Sequence, residues 1–127
     1  MSQPKPVVVL AEDDQFLRRM YATKLQQSGM DVFAASDGEL ALRYVREHRP
    51  AVLLLDILMP KKDGFEVLEE IKADPALKKI PVVLLTNLGE PEDIKRARKL
   101  GADDYMIKSH FLPSEVIDVV RKYLSTD

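Results

Sequence analysis

Short apolar runs recur along the chain, and between them lie longer stretches whose apolar residues return every three or four positions. The runs are Val7–Ala11, Asp31–Ala35, Ala51–Leu55, Val82–Leu85 and Asp104–Ile107. They are β-branched or leucine-rich and too short for helices, so each predicts a strand. Three of them are nearly continuous in apolar residues, the pattern of parallel strands buried on both faces.

The stretches between predict helices. Leu17, Met20, Tyr21 and Leu25 line one face of the first, and Gly29 offers a stop. Leu40, Ala41, Tyr44 and Val45 line the second, for which Ser36 and Glu39 predict a capping box. Phe65, Leu68 and Ile71 line the third, with Asp63 as N-cap and Glu66 three residues on. Pro91 starts a fourth helix carrying Ile94, Ala97 and Leu100, with Gly101 to end it. Pro113 starts a fifth carrying Val116, Ile117, Val120, Tyr123 and Leu124. The stripe Val116, Val120, Tyr123 reads first as core packing and second as a face for a partner or a second copy.

Strand and helix thus alternate through the chain. Parallel strands need crossovers, which are right-handed almost without exception. The expected fold is α/β: a three-layer, doubly wound sheet of five parallel strands. Closing an eight-stranded barrel would take about twice this length. One domain is expected over residues 1–127, with a core of about 7–124 and flexible ends at 1–6 and 125–127.

Composition narrows the function classes. The formal net charge is -2, so no global basic field holds nucleic acid, and the lysine and arginine strings are interleaved with acids. There are no cysteines, which excludes disulfides and thiolate metal sites and is compatible with a cytoplasmic setting. No apolar run approaches the ~20 residues of a membrane span, and the leader Met1 to Pro6 lacks the apolar core of a signal peptide. His48 and His110 lack metal spacing and read as surface residues.

In doubly wound sheets ligands sit beyond the carboxyl ends of the strands. The residues there are Glu12, Asp13 and Asp14 after the first strand, Asp56 after the third, Thr86 and Asn87 after the fourth, and Lys108 after the fifth. Asp14 reads as a helix start rather than a ligand. If the first and third strands are neighbours, Glu12, Asp13 and Asp56 converge. Such carboxylates repel by about 1 kcal/mol per pair in water and about 4 at an effective dielectric of 20. A hard divalent cation such as Mg²⁺ (or Mn²⁺) removes that repulsion, and the Leu58 carbonyl could add a further oxygen. Lys108 would pair with Asp56 and stabilise negative charge on any group Asp56 acquired, while Thr86 supplies a hydroxyl. This is the equipment of a phosphoryl-transfer site, where the protein contributes positioning and charge neutralisation.

These residues resemble the receiver domains of two-component response regulators, of the chemotaxis-regulator type. The likeness rests on Glu12-Asp13, on Asp56 in LLLDILMP, on Met59-Pro60 and Asp63-Gly64, on Thr86 in VVLLTN and on Lys108 in DDYMIKS, and it runs from about Val7 to Leu124. The resemblance implies a flavodoxin-like sheet of strand order 2-1-3-4-5. It implies that Asp56 accepts a phosphoryl group from a sensor histidine kinase or a histidine phosphotransfer domain. Asp13 and Asp56 would be direct Mg²⁺ ligands, with Glu12 acting through water. Lys108 would contact the phosphoryl oxygens, Thr86 would move toward them, and Tyr105 would swing inward behind it. The face of the fourth helix, fifth strand and fifth helix would then change for a downstream effector, or for a second copy docking there as a homodimer. The implied role is regulatory rather than enzymatic, without direct nucleic-acid or membrane binding.

The chain departs from the family pattern at four positions. Ser109 stands where a proline usually follows the lysine, and a cis bond before a non-proline residue costs roughly 2.5–4 kcal/mol, so a trans or strained bond is expected. Leu112 replaces the usual capping Thr or Ser of the last helix. Leu58 and Leu88 are apolar where the phosphoryl group would be bordered, and are expected to hinder attacking water and prolong the acyl phosphate. Three rival readings stand beside it, the last within the same family. A haloacid-dehalogenase-type hydrolase wants a second Asp where Leu58 stands. A flavin or nucleotide carrier wants a glycine- or hydroxyl-rich loop where Glu12-Asp13-Asp14 would repel phosphate. A degenerate receiver would only mediate contacts. Nothing after Leu124 reads as a DNA-binding or effector segment, which leaves open both a stand-alone receiver and a receiver of a longer regulator.

Overall fold

A computed structural model describes residues 4–124. Strands β1 (Val7–Ala11), β2 (Asp31–Ala35), β3 (Val52–Leu55), β4 (Val82–Thr86) and β5 (Asp104–Ile107) alternate with helices α1 (Gln15–Gln27), α2 (Gly38–His48), α3 (Gly64–Ala73), α4 (Pro91–Lys99) and α5 (Pro113–Leu124). The strands form one parallel sheet of order β2-β1-β3-β4-β5. This is the expected flavodoxin-like, doubly wound arrangement.

Alternation along each strand builds two cores. Val9, Ala11, Leu53, Leu55, Val82 and Leu84 face α2, α3 and the buried Ala97 of α4. Val8, Leu10, Leu54, Val83, Leu85 and Met106 face α1 and α5. Both faces of β3 and β4 are covered, which is why these strands read as unbroken apolar runs. On α5, Val116, Ile117 and Val120 are buried, so its stripe is core packing. No helix among the described residues is long and apolar enough to cross a membrane.

Several local expectations change. The N-cap of α2 is Asp37, not Ser36: the Asp37 carboxylate accepts from the Leu40 N–H at 2.8 Å. The Asp63–Glu66 capping box of α3 is present with both bonds, and Asp14 caps α1. At α5 Leu112 has no capping side chain; instead its N–H donates to the Glu115 carboxylate at 2.8 Å. β4 runs one residue further than expected, to Thr86, and β3 begins at Val52 rather than Ala51. No peptide bond among the described residues is cis, so Lys108–Ser109 is trans, and the chain there enters a 3-10 turn over Lys108–His110. Of the ends expected to be flexible, 1–3 and 125–127 lie outside the described residues, while the Pro6 carbonyl is tied to the sheet by the Asp31 N–H at 2.9 Å. His48 is not a free surface residue: its ring stacks on Phe33 at 3.7 Å and 11°.

The end of the sheet where the strands start is closed by a polar network. Lys72 donates to the Lys78 and Ile80 carbonyls at 3.1 and 3.3 Å and lies 3.5 Å from Asp103. Asp103 accepts from the Val82 N–H at 2.8 Å, and the Tyr123 hydroxyl donates to the Asp103 carbonyl at 3.1 Å.

At the opposite end, two glycines let the loop between β3 and α3 fold back. A methyl group on Gly64 would sit 2.5 Å from the Asp56 carbonyl oxygen, and one on Gly38 would overlap the Lys62 carbonyl. Gly38 also donates its N–H to the Pro60 carbonyl at 3.3 Å. In an open helix position Gly→Ala stabilises by up to about 1 kcal/mol. Here the overlap reverses the sign: Gly38→Ala is expected to destabilise by about 1–3 kcal/mol, read as a lower urea midpoint at unchanged slope. A midpoint at or above the parent's would remove the packing constraint assigned to Gly38.

Candidate functional site

Glu12 and Asp56 are the first residues beyond β1 and β3, and their N–H groups continue the ladder to the Ala35 and Ala11 carbonyls, each at 3.0 Å. Because β1 and β3 are hydrogen-bonded neighbours, the two acids arrive side by side. Glu12, Asp13 and Asp56 each offer a carboxylate oxygen within 4.8 Å of the others. Glu12 is 2% and Asp56 5% exposed, whereas Asp13 lies exposed beside them.

Both oxygens of Asp56 are engaged. Oδ1 accepts from the Ile57 N–H at 2.7 Å and the Leu58 N–H at 3.3 Å, and Oδ2 from Lys108 Nζ at 2.7 Å. Lys108 also donates to Glu12 Oε1, and Glu12 Oε2 accepts from the Asp14 N–H at 3.0 Å. Burial pushes the Glu12 carboxyl above its ordinary range, against the lowering effect of Lys108 and the Asp14 N–H, and the Asp56 charge adds to the rise. Burial works to lower the Lys108 pKa, but its hydrogen bonds to Asp56 and Glu12 overcome this and hold the ammonium above its ordinary value. Three carboxylates face one ammonium, leaving a local charge of about -2 that a divalent cation matches. The donors are all hard oxygens, which fits Mg²⁺ or Mn²⁺ and not a thiophilic metal.

Thr86 ends β4, between β3 and β5, and is fully buried. Its Oγ1 accepts from the Leu88 N–H at 3.3 Å, and the Tyr105 hydroxyl donates to the Leu88 carbonyl at 2.5 Å. Thr86 and Tyr105 therefore hold the two sides of one residue in the loop between β4 and α4. Leu58 is 55% exposed beside the cluster, and Leu88 is half-buried. The strand-end acids, Thr86 and Lys108 thus meet at one rim of the sheet, with Tyr105 one shell away.

Arg18 was not anticipated. Its Nη1 donates to the Glu12 carbonyl at 2.9 Å and the Asp13 carbonyl at 3.2 Å. The only sequence signal was a cation one helical turn past a cap, which solvated helix faces also carry.

The family profile of the response regulator receiver domain matches residues 8–121. A probable transcriptional regulator, ycf27, of Guillardia theta is 38% identical over 122 residues, covering 96% of this chain and 46% of its own. This chain spans about half the length of the curated relatives it matches. Among solved structures, the phosphorylated cyanobacterial phytochrome response regulator RcpA superposes with a TM-score of 0.84 at 34% identity, covering 98% of this chain and 97% of that one. The Mn(2+)-bound form of response regulator Rcp1 gives a TM-score of 0.77 at 31% identity, covering 94% and 92%. The chain belongs to the response regulator receiver domain family, the regulatory receivers of two-component signalling.

Burial, with the Asp93 and then the Asp56 charges, raises the Tyr105 hydroxyl from its ordinary 10 to about 12. The fold favours the neutral phenol, so this contribution to stability is whole below about pH 10 and is lost as pH climbs toward about 12. Tyr123 is also raised to about 12. Burial raises the Tyr21 hydroxyl as well, so spectrophotometric titration of the parent is expected to show three late-ionising tyrosines and that of Tyr105→Phe two; an unchanged late component in Tyr105→Phe would show that this phenol is not held by the fold.

Proposed function

We propose that the chain is one receiver domain over residues 1–127, working in the cytoplasm, in which Asp56 accepts a phosphoryl group from a sensor histidine kinase or histidine phosphotransfer protein. The observation that carries this reading is the carboxylate of Asp56, held at 2.7 Å by Lys108 and within 4.8 Å of the oxygens of Glu12 and Asp13. An Asp56 oxygen attacks phosphorus, a P–O bond forms, and the donor's P–N bond breaks as the imidazole leaves and takes up a proton.

Asp13 and Asp56 would hold Mg²⁺ (or Mn²⁺) directly, with Glu12 acting through water and the Leu58 carbonyl as a further oxygen. When bound, the cation would supply charge neutralisation to the transferring group. The chain's own groups do the rest. The Ile57 and Leu58 N–H groups fix the Asp56 carboxylate so that it cannot rotate away from the donor. Lys108, already at Asp56, passes to the new phosphoryl oxygens without leaving the site, and the Thr86 hydroxyl adds a donor.

Thr86 and Tyr105 then report the event through the Leu88 residue that both grip. The surface of α4, β5 and α5 is read by a downstream effector or by a second copy of the chain, without direct contact to nucleic acid or membrane. Support for a larger regulator comes from the longer relatives named as probable transcriptional regulators.

Incubation with acetyl phosphate and Mg²⁺ is expected to add one phosphoryl mass to the parent and none to Asp56→Asn. No adduct on the parent would favour the contact-only receiver instead. Leu58 and Leu88 exclude water from the acyl phosphate, so Leu58→Asn and Leu88→Glu are expected to lose the adduct severalfold faster in a timed mass measurement. Lifetimes equal to or longer than the parent's would remove this role from both leucines.

A further inference from the structure

We propose that Arg18 is a positioning residue that aims Asp13 at the cation site through the backbone. The inference rests on the metal-holding role given to Asp13 above. Each of the other two acids is aimed by its own side-chain bonds: Glu12 by Lys108 and the Asp14 N–H, Asp56 by Lys108 and the Ile57 and Leu58 N–H groups. The Asp13 carboxylate accepts no hydrogen bond and makes no ion pair among the described residues. It is exposed, so packing does not fix it either. The point from which it reaches the site is therefore set by the main chain between β1 and α1.

Arg18 holds that main chain. One guanidinium nitrogen spans two successive carbonyls, those of Glu12 and Asp13, while the Arg18 N–H donates to the Asp14 carbonyl at 2.9 Å. Hydrogen bonds from a charged donor are the stronger kind, and the planar fork keeps its N–H directions fixed. Arg18 forms no ion pair among the described residues. A cation this close to three acids that bonds only carbonyls leaves the Asp13 carboxylate oxygens free for a metal.

Bracing and charge act with opposite sign, which makes the role measurable. As a brace, Arg18 raises divalent affinity; as a nearby positive charge alone, it lowers it. Groups that orient metal ligands from outside typically cost 10–100-fold in affinity when removed. Because Arg18 acts on the backbone of one exposed ligand, the lower end applies.

The experiment is calorimetric titration of the full chain with MnCl₂, for the parent, Arg18→Met and Arg18→Lys, with thermal melts of the metal-free proteins alongside. Arg18→Met is expected to bind about tenfold more weakly, with Arg18→Lys recovering part of the loss. At saturating Mg²⁺ the rate of adduct formation from acetyl phosphate should return to the parent's, since the loop is then ordered by the cation. Tighter binding by Arg18→Met would assign Arg18 a charge effect and overturn the proposal. Lower melting points with unchanged affinity would make Arg18 merely structural, and overturn it equally. A parent that binds no Mn²⁺ would instead remove the cation site itself, and this inference with it.

Discussion

The Lys108 ammonium, shared between the Asp56 and Glu12 carboxylates, is the interaction on which the rest of the arrangement depends. Without it two nearly buried anions would stand side by side with no counter-charge, and such groups are strongly destabilising when left unpaired. Its reach is set by topology. In the order β2-β1-β3-β4-β5, one strand separates Asp56, just beyond β3, from Lys108, just beyond β5. Neighbouring strands lie about 4.8 Å apart, so the gap is about 10 Å. The Lys108 and Asp56 side chains together close that gap beyond the end of β4, where the small, fully buried Thr86 stands.

That compensation is incomplete by design of the chain. One ammonium against three acids leaves the rim negative, while the core beneath is apolar and closely covered on both faces. Acids gathered at one rim for function rather than for packing are common where a protein keeps residues at some expense of stability. The glycines at 38 and 64 serve the same end. They allow the loop after Asp56 to return against its own strand and against α2, so that the Ile57 and Leu58 amides point at the carboxylate rather than at water.

Much of this was legible in the sequence, because strands buried on both faces leave uninterrupted apolar runs and because chemistry in such sheets collects after strand ends. Asp56 and Lys108 could be placed by that rule alone. Where reading stopped short, the cause was a contact distant in sequence or ambiguous in type. Ser36 and Asp37 are adjacent and both cap well. Asp37 is the one that does so, with Gly38, pressed on Lys62, as the first helical residue. Arg18 looked like any solvated helix cation, since nothing local distinguishes a guanidinium facing carbonyls from one facing water. The stacking of His48 on Phe33 joins a helix end to a strand and carries no periodic signature.

The polar network at the far end of the sheet, where Lys72, Asp103 and Tyr123 lock the starts of β4 and β5 to α3 and α5, has a kinetic consequence. Partial opening of a folded chain begins where contacts are fewest and repulsion greatest. With one pole fastened by cross-links between four elements and the other carrying uncompensated negative charge, fluctuations are steered toward the loops around Asp56. The loops at the working edge can then loosen while the strand ladder below them, buried on both faces, keeps its register.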